Sequence, residues 1–377
     1  MNTDKTLGTL IKFSGFGFMV FYSLLQLRFN KNLVIATSLF IPFLIYGVLN
    51  SFDIRAGISD GLRYLFPIII LFYSYAIKKQ FPILLKFVVA FVILNFLVQI
   101  VNYVNWLRGI DQWFYYEING EVYYNRVAGI IRGTGVVVFF GFFGFLNLIS
   151  FFLITNYYHG RFKKTLLAIA VFGILGSMSY KTIGTFLLVL FVYYYKHFIK
   201  VLSALAVLVS VVFFSFAEKG ILFLESFYLR ISLYVTGSKT ARSESYRVMI
   251  EEITDFNLFG KGVGVFGGPA SIKYNSPYYF EKSFNWYDAE WLNLVTTDTF
   301  YPHPFVELGI IGAIVYLSVL CVPLMRKKIT KNWVFTALIF FAIFFDAIFS
   351  FSLNNPEFLM ISLVFAYPIL HYYDSKN

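Results

Sequence analysis

The chain has few charged residues and almost no cysteine. Only 14% of its 377 residues are charged and 59% are apolar, whereas soluble domains have about 25% charged residues. Such a chain has too little polar surface to cover a fold that is surrounded by water. The single cysteine, Cys321, excludes an intramolecular disulfide and a cysteine-based metal site. A soluble fold is therefore not expected, and membrane lipid is the predicted surrounding.

Histidines and acidic residues are also scarce. The four histidines are scattered along the chain and their spacing does not match a metal triad. Lys and Arg, 31 in all, outnumber the 20 acidic residues, but they gather in short clusters between apolar runs, as membrane topology signals do. Nucleic acid is therefore not an expected partner, and neither a metal nor another cofactor is predicted.

Long apolar runs recur along the whole sequence. Because a membrane-spanning helix needs about 20 mostly apolar residues, the sequence predicts an all-α, polytopic helical bundle with about eleven spans, in a range of about ten to twelve. The predicted spans lie near residues 7–27, 33–50, 62–77, 83–104, 134–157, 165–178, 182–195, 200–217, 304–324, 333–350 and 357–373. The two shortest, 165–178 and 182–195, also fit a broken or re-entrant pair.

Basic clusters fall on every second loop, which predicts the orientation of the bundle. Cytoplasmic loops carry the excess of Lys and Arg, so the C-terminus is expected in the cytoplasm. The N-terminus would then lie outside, although Lys5 and Lys12 favour the opposite. Three regions follow: a membrane bundle over 1–217, a large extracytoplasmic loop over 218–303, and further spans over 304–377.

The long loop contains a predicted helix followed by a glycine-rich segment. In the helix, residues 244–256, apolar residues recur at helical spacing, which is typical of an amphipathic helix. The following Gly260-Lys-Gly262-Val-Gly264 lacks the Ser or Thr that a phosphate-binding loop has after its lysine. These glycines are therefore interpreted as tight backbone turns rather than a nucleotide site.

Three stretches in a fixed order carry a resemblance to a known family. They are Ser177-Met-Ser-Tyr-Lys181-Thr-Ile-Gly184, then Tyr246-Arg247 with Asp255-Phe-Asn-Leu-Phe-Gly260-Lys-Gly262-Val-Gly264, then Glu307-Leu-Gly-Ile-Ile-Gly312. In them the sequence resembles the bacterial O-antigen ligase and O-antigen or capsular polysaccharide polymerase superfamily, with Lys181 where arginine is usual. The resemblance implies a GT-C-like membrane glycosyltransferase that uses undecaprenyl-diphosphate-linked sugars.

The third stretch also departs from the family pattern. Ligases of the family have a histidine nine residues before the glutamate, and here that position holds Asp298. The difference favours a polymerase, with His303 as a candidate substitute. An acceptor hydroxyl needs a base within hydrogen-bond reach, for which Asp298 or His303 is the candidate, with no metal required. Arg247 is the catalytic cation expected beside the departing diphosphate.

Further residues are candidates for binding the substrate. Lys181 is expected to contact the diphosphate. Arg126, Arg132 and Arg242 are expected to bind phosphate or acidic sugars. Trp286 and Trp291 offer flat aromatic faces that suit sugar rings.

Structural alternatives exist for most of these residues. Arg247 lies four residues before Glu251, the spacing of an ordinary helical ion pair. Lys181 also fits an anchor at the membrane interface, and Asp298 fits the cap of a following helix. The loop tryptophans fit interfacial anchoring equally well.

Together these features predict a metal-independent polysaccharide polymerase in the bacterial cytoplasmic membrane, with its active site facing outward. It would move a growing glycan from undecaprenyl diphosphate onto the non-reducing end of an incoming lipid-linked repeat unit of O-antigen or capsule. Membrane lipid and a chain-length regulator protein are the other expected partners. The alternatives are an O-antigen ligase and a transporter of lipid-linked sugars, which would need charged residues within several spans.

Overall fold

The structure, a computed structural model, is mostly helical. It describes residues 5–26, 29–114, 116–118, 121–123, 126–127, 129–193, 203, 206–207, 210, 240–284, 297, 299–326 and 328–372. By packing, the chain divides into two compact units: one is built on residues 82–236, and the other joins residues 3–81 to residues 237–377. The first is the middle unit and the second is the composite unit.

The composite unit begins and ends with apolar helices. Its helices before the middle unit are α1 (Lys5–Leu25), α2 (Lys31–Leu49) and α3 (Ile54–Ala76). The middle unit holds α4 (Phe81–Leu107), which starts at the boundary, and α5 (Phe140–Tyr157), α6 (Lys163–Gly176) and α7 (Tyr180–Tyr193). Two short antiparallel hairpins precede α5: β1 (Tyr116–Ile118) with β2 (Glu121–Tyr123), and β3 (Arg126–Val127) with β4 (Ile130–Ile131).

The composite unit then resumes with shorter helices and further apolar ones. They are α8 (Ala241–Thr254), α9 (Pro269–Lys273), α10 (Tyr278–Glu281), α11 (Pro302–Glu307), α12 (Gly309–Cys321), α13 (Lys331–Phe349), α14 (Pro356–Ser362) and α15 (Ala366–His371). Short 3-10 turns follow α12, α13 and α14 at Val322–Leu324, Ser352–Asn354 and Leu363–Phe365.

Within the described residues, five helices are long and apolar enough to cross a membrane. They are Lys31–Leu49, Ile54–Ala76, Phe81–Leu107, Phe140–Tyr157 and Lys331–Phe349. Shorter apolar helices cover Leu10–Leu25, Tyr180–Tyr193, Gly309–Leu324 and Pro356–His371. The chain is therefore an all-α protein with the helices of a multi-pass membrane protein.

Helix α3 differs most from its expected bounds. The sequence predicts a span near 62–77, but the helix begins at Ile54. Its N-cap is Asp53, whose side chain accepts the Arg55 amide at 2.8 Å, as N-cap residues do. The polar residues after it, Asp60 and Arg63, thus lie inside the helix, and both are buried. In the composite unit α3 packs against α1, α2, α9, α14 and α15.

The loop part of the composite unit has an aromatic core of its own. Phe266 lies at its centre, with ring centroids of Tyr278, Tyr279 and Phe284 at 5.8, 5.5 and 5.5 Å. Val248 of α8 joins the same buried cluster. Burial of large aromatic rings contributes strongly to folding, so this segment is held by a packed core.

Helix α8 is found close to its expected position but buries a different face. The sequence assigns Tyr246, Met249, Ile250 and Ile253 to the apolar face, whereas the buried residues are Ser245, Val248 and Glu252. Ile250 is 56% exposed. The helix begins at a capping box in which Thr240 and Ser243 exchange side-chain and backbone hydrogen bonds.

Candidate functional site

The second and third family-like stretches are joined through the backbone of Val306 and Glu307. The Lys261 amide donates to the Val306 carbonyl at 2.9 Å, and the Gly262 amide donates to the Glu307 carbonyl at 3.2 Å. Gly260 has a φ of 84°, and a Cβ at this position would collide with the Glu307 carbonyl. Glycine at position 260 therefore allows the segment 260–268, called the glycine segment below, to run directly against α11.

The Glu307 carboxylate lies at the centre of this contact and is fully buried. Its Oε1 accepts the Gly264 amide at 2.8 Å, and its Oε2 accepts the Tyr64 hydroxyl at 2.6 Å. Tyr64 belongs to α3. One carboxylate therefore connects α3, the glycine segment and α11.

A buried ion pair lies on α3 one turn before Tyr64. Asp60 is 1% exposed and Arg63 is 8% exposed, and they pair through Oδ2 of Asp60 and Nη2 of Arg63. Gly268 fits closely against this pair, because a Cβ there would collide with both side chains. The guanidinium carbon of Arg63 lies 5.0 Å from the ring centroid of Phe351.

His303 lies on α11 and is fully buried. Its Nε2 is 2.8 Å from the Thr297 hydroxyl, and its ring centroid is 4.7 Å from that of Phe351. The rings of Phe351 and His303 and the guanidinium of Arg63 thus meet at one place. Nδ1 of His303 and both Nε and Nη1 of Arg63 have no hydrogen-bond partner among the described residues.

Burial shifts the pKa values of the two titratable residues on α11, which precedes the apolar helix α12. Burial, together with the positive charge of Arg63, lowers the pKa of His303 well below its usual value. Its imidazole is therefore neutral at pH 7. Burial, followed by the nearby Asp60 carboxylate, raises the pKa of Glu307, and Arg63 opposes this shift.

Arg247 lies on α8, where it is held by three acceptors. Its guanidinium pairs with Glu251 and, at 2.9 Å, with Glu244. Nη2 also donates to the Lys282 carbonyl at 2.8 Å. The helical ion pair that the spacing allowed is thus present, and the Arg247 side chain remains 39% exposed. Partial exposure leaves the guanidinium accessible to a bound anion.

Next to Arg247, Glu252 holds a second set of contacts. Its carboxylate accepts the Tyr278 hydroxyl at 2.7 Å and pairs with Lys282 at 2.8 Å through Oε1. Oε2 accepts the Asn257 side-chain amide at 2.7 Å and lies 3.7 Å from Nζ of Lys261. Burial alone would raise the pKa of Glu252, but the hydrogen bonds from Lys282 and Tyr278 and the charge of Lys261 lower it below its usual value.

In the middle unit, Arg132 is buried and binds backbone carbonyls. Its Nε donates to the Ser177 carbonyl at 3.0 Å and its Nη2 to the Met178 carbonyl at 2.6 Å. Its guanidinium carbon lies 3.2 Å from the ring centroid of Phe140. The predicted anion-binding residue therefore closes the end of α6, where helix carbonyls lack partners within the helix.

The first family-like stretch forms the turn between α6 and α7. Lys181 is the second residue of α7 and is half-buried. The Thr182 hydroxyl donates to the Ser179 hydroxyl at 3.0 Å within the same turn. In this unit the structure thus brings together Arg132 and the turn that precedes Lys181.

The other predicted site residues are placed as follows. Arg126 lies in β3 and is exposed, and Arg242 lies in the first turn of α8 and is half-buried. Asp298, Trp286 and Trp291 lie outside the described residues. Within the described part of the chain, His, Cys, Asp and Glu do not form a group of three that fits a metal ion.

Sequence reasoning missed the buried residues of α3. Asp60, Arg63 and Tyr64 fall at or beyond the edge of the predicted span, because polar residues lower the apolar character of the run. The signal that was available is the Asp60 and Arg63 spacing of three residues, which places both side chains on one face of a helix. Their meeting with Glu307, 243 positions after Tyr64, is a tertiary contact.

The glycine segment, α3 and α11 therefore surround a buried polar centre made of Asp60, Arg63, Tyr64, His303 and Glu307. Such a centre in a membrane protein marks a functional site by default. No protein-family model matches the chain, and no curated protein matches it significantly.

Proposed function

We propose that the chain is a membrane glycosyltransferase of the polysaccharide polymerase type. It transfers a growing glycan from undecaprenyl diphosphate onto the non-reducing end of an incoming lipid-linked repeat unit of O-antigen or capsule. The bond from the anomeric carbon to the diphosphate oxygen breaks, and a new bond forms to the acceptor hydroxyl oxygen. The hydroxyl proton passes to a base, and the diphosphate leaves with the bonding electrons.

One observation carries this proposal. The second and third stretches of the family resemblance share backbone hydrogen bonds and the buried Glu307 carboxylate, although Gly264 and Glu307 lie 43 positions apart in sequence. Helix α8, which bears Arg247, packs against α11 in the same unit. The second and third stretches, each a weak motif alone, thus lie together in the composite unit. Their proximity supports the proposal that they form one site.

In this proposal Arg247 stabilises the negative charge that grows on the departing diphosphate. A guanidinium suits this role because its N–H groups bind two phosphate oxygens at once. Glu244 and Glu251 hold it in place before the substrate arrives. Asp298 is the proposed base, while the neutral, buried His303 contacts Thr297. Lys181, Arg126, Arg132, Arg242, Trp286 and Trp291 remain proposed substrate contacts.

The finer architecture belongs to the same proposal. We place about eleven spans in a GT-C-like bundle, because about 20 apolar residues are needed for each. The protein would lie in the bacterial cytoplasmic membrane with the loop over 218–303 facing outward. A lipid-linked oligosaccharide, membrane lipid and a chain-length regulator protein are the proposed partners.

The test is the glycan profile of a deletion strain complemented with wild type or Arg247→Ala, resolved into single lipid-linked repeats and polymer. We expect the polymer ladder to disappear while single repeats accumulate, and wild type but not Arg247→Ala to restore it. Arg55→Ala is the matched control, since Arg55 is 72% exposed, pairs with Asp53 and lies over the Tyr274 ring, away from Arg247 and its partners. Equal protein levels are checked for all three.

Two outcomes would contradict parts of this proposal. An unchanged ladder in the deletion strain would reject polymerase activity. Long polymer that stays on the carrier would instead identify the ligase alternative, because the chains would be made but not passed on.

A transporter of lipid-linked sugars is the second candidate, and Asp60 and Arg63 favour it. Both lie inside α3, a helix long enough to span a membrane, and charged residues within spans often line transport pathways. This candidate predicts that lipid-linked repeats accumulate on the cytoplasmic side of the membrane in the deletion strain. Accumulation on the outer side supports the transferase.

A further inference from the structure

Unpaired polar atoms are concentrated around one aromatic ring in the composite unit. Phe351 contacts Arg63 and His303, whose Nε, Nη1 and Nδ1 atoms have no hydrogen-bond partner among the described residues. In the turn that follows Phe351, Ser352 Oγ and Asn354 Oδ1 are likewise buried without a partner. Five such atoms thus come from three segments that meet at one ring. Four of them can donate a hydrogen bond, whereas Asn354 Oδ1 is an acceptor.

Unpaired atoms of this kind are costly. A buried donor that lacks an acceptor costs about 1–3 kcal/mol, and more when it is charged. Folded proteins therefore satisfy nearly all of their buried polar groups. The Arg63 guanidinium has five N–H bonds, and its Nη2 pairs with the Asp60 carboxylate. The remaining N–H bonds, on Nε and Nη1, need an acceptor that no described residue supplies.

Two glycines of the glycine segment pack closely against Arg63 and His303. The Gly268 backbone lies against the Asp60 and Arg63 pair, and Gly267 lies against the His303 ring, so that neither position has room for a Cβ. Arg63 is 8% exposed and His303 is fully buried. Packing thus holds the Arg63 side chain in place, and its Nε and Nη1 have no hydrogen-bond partner among the described residues.

We propose that Arg63, His303 and the turn over Phe351–Asn354 form a binding site for a phosphate-type oxyanion. Arg63 donates from Nε and Nη1 to two oxygens of the anion. In the His303 tautomer that is protonated at Nδ1, Nδ1 donates to the anion and Nε2 accepts a hydrogen bond from the Thr297 hydroxyl. Ser352 donates to the anion from its hydroxyl. That this anion is the carrier diphosphate rests on the proposed function.

The surrounding charges have opposite effects on such an anion. The Asp60 carboxylate opposes it and also balances Arg63. Glu307 lies nearby, and its raised pKa reduces its negative charge at pH 7. Lys12 of α1 adds positive charge, because its Nζ lies 5.0 Å from the ring centroid of Phe66, one turn along α3 from Arg63. Glu357 acts on Lys12 through its opposite charge, so the anion meets Arg63 and Lys12 against Asp60 and Glu357.

The place of the site also fits a lipid-linked anion. Asp60 and the turn after Phe351 belong to connections that the basic loops assign to the outer side, 51–61 and 351–356, and Arg63 lies at the outer edge of the predicted span 62–77. A diphosphate on an isoprenoid chain lies at the membrane surface on that side after the lipid-linked sugar has crossed. The site is thus where an outward-facing transferase would need to hold its donor.

The test measures thermal unfolding of the purified full chain in detergent with increasing sodium pyrophosphate, at constant ionic strength with chloride. We expect wild type and Arg55→Gln to be stabilised in a saturable manner. The double variant Asp60→Asn with Arg63→Gln removes both charges at once, which leaves no uncompensated buried charge. We expect it to bind pyrophosphate at least about tenfold more weakly.

A second variant keeps the test valid if the double variant does not fold. His303→Gln removes Nδ1 and retains a polar partner for Thr297, and we expect about tenfold weaker binding. The absence of saturable stabilisation of wild type by pyrophosphate, or unchanged affinity in folded variants, would overturn the anion site. Retained activity in the glycan profile would then leave the proposed function standing.

Lipid nanodiscs distinguish the two sources of the anion, the carrier diphosphate and an ordinary phospholipid headgroup. Phosphatidylethanolamine discs are compared with discs that also contain phosphatidylglycerol or undecaprenyl diphosphate. Stabilisation by undecaprenyl diphosphate, lost in the variants, supports the carrier as ligand. Equal stabilisation by phosphatidylglycerol would overturn that identity, because an ordinary headgroup would then satisfy the site.

Discussion

At the scale of single residues, Glu252 has the densest set of polar contacts in the loop part of the composite unit. The carboxylate is 1% exposed and has contacts with Tyr278, Lys282, Asn257 and Lys261. Removing the Glu252 carboxylate takes an acceptor from Tyr278, Lys282 and Asn257 at once. The set therefore stabilises the folded loop only when all of its members are present.

We predict that Glu252→Ala lowers the free energy of unfolding by about 3 kcal/mol, because it leaves the Tyr278 hydroxyl and the Asn257 side-chain amide without their acceptor and leaves Lys282 with its longer pair to Glu251 at 3.5 Å. Denaturant titration in detergent measures the change. Asp255→Asn is the matched control, since Asp255 lies one turn further along the chain and is exposed. A loss below about 0.5 kcal/mol, within the range of ordinary surface substitutions, would show that the network does not stabilise the fold.

The same variant tests the sign of the pKa shift. Because folding lowers the pKa of Glu252 from its usual value near 4.5, its stabilising contribution is present above that pH and is lost as the pH falls through the folded value. The difference in stability between wild type and Glu252→Ala should therefore shrink on acidification below about pH 4.5. A constant difference at all pH values would contradict the assignment.

What sequence alone reveals about single residues depends on the range of their contacts. The ion pair of Arg247 with Glu251 follows from helical spacing and is present. The role of Arg132 as a cap on α6 depends on Ser177 and Met178, 45 and 46 positions away. Contacts of that range follow from the assembled fold, so sequence reasoning assigned Arg132 only by its charge.

At the scale of elements, the glycine segment owes its path to close backbone packing. Gly264 has a φ of 81°, and its amide binds Glu307. Gly268 has an ordinary φ of −91°, yet a Cβ there would collide with Arg63 and Asp60. Glycine is required for its conformation at the first position and for its small size at the second.

We predict that Gly268→Ala destabilises the protein by about 1–3 kcal/mol, the usual cost of an extra methyl group in a packed interior. Gly184→Ala in α7 is the control, because a Cβ at Gly184 would have no heavy atom within 4 Å. Alanine is also the better helix former. The midpoints of thermal unfolding of the two variants in detergent measure the difference in stability. Equal midpoints would mean that the Asp60 and Arg63 side chains move to admit the methyl group without a loss of stability.

Helix positions were predicted well wherever apolar runs were continuous, as for α2, α4 and α13. The start of α3 was predicted too late in the chain, because hydropathy treats Asp60 and Arg63 as solvent-exposed. In the structure both residues are buried. Asp53 was the usable signal, since it is a typical N-cap residue. The glycine turns at 260–264 were predicted correctly, but their partner α11 was not.

At the scale of the whole molecule, the direction of each crossing determines which side the candidate site faces. The helix Gly309–Leu324 is one of the shorter apolar helices of the composite unit. At 1.5 Å per residue it is about 24 Å long, which is shorter than the membrane's apolar thickness of about 30 Å. Tilt would shorten its reach further, so this crossing depends on α11 or on local thinning of the bilayer.

We predict that Lys261 and Lys328 lie on opposite sides of the membrane, with Lys261 outside. In a Cys321→Ser background, Lys261→Cys should react with a membrane-impermeant maleimide in intact cells, because Lys261 is 48% exposed. Lys328→Cys, also at an exposed position, should react only after the cells are permeabilised, as its basic cluster predicts. The unmodified Cys321→Ser protein controls for background. Labelling of both positions in intact cells would show that Gly309–Leu324 does not cross the membrane. Labelling of Lys328→Cys alone would show the opposite orientation. The glycine segment and Arg247 would then lie in the cytoplasm, away from any outward-facing lipid-linked glycan.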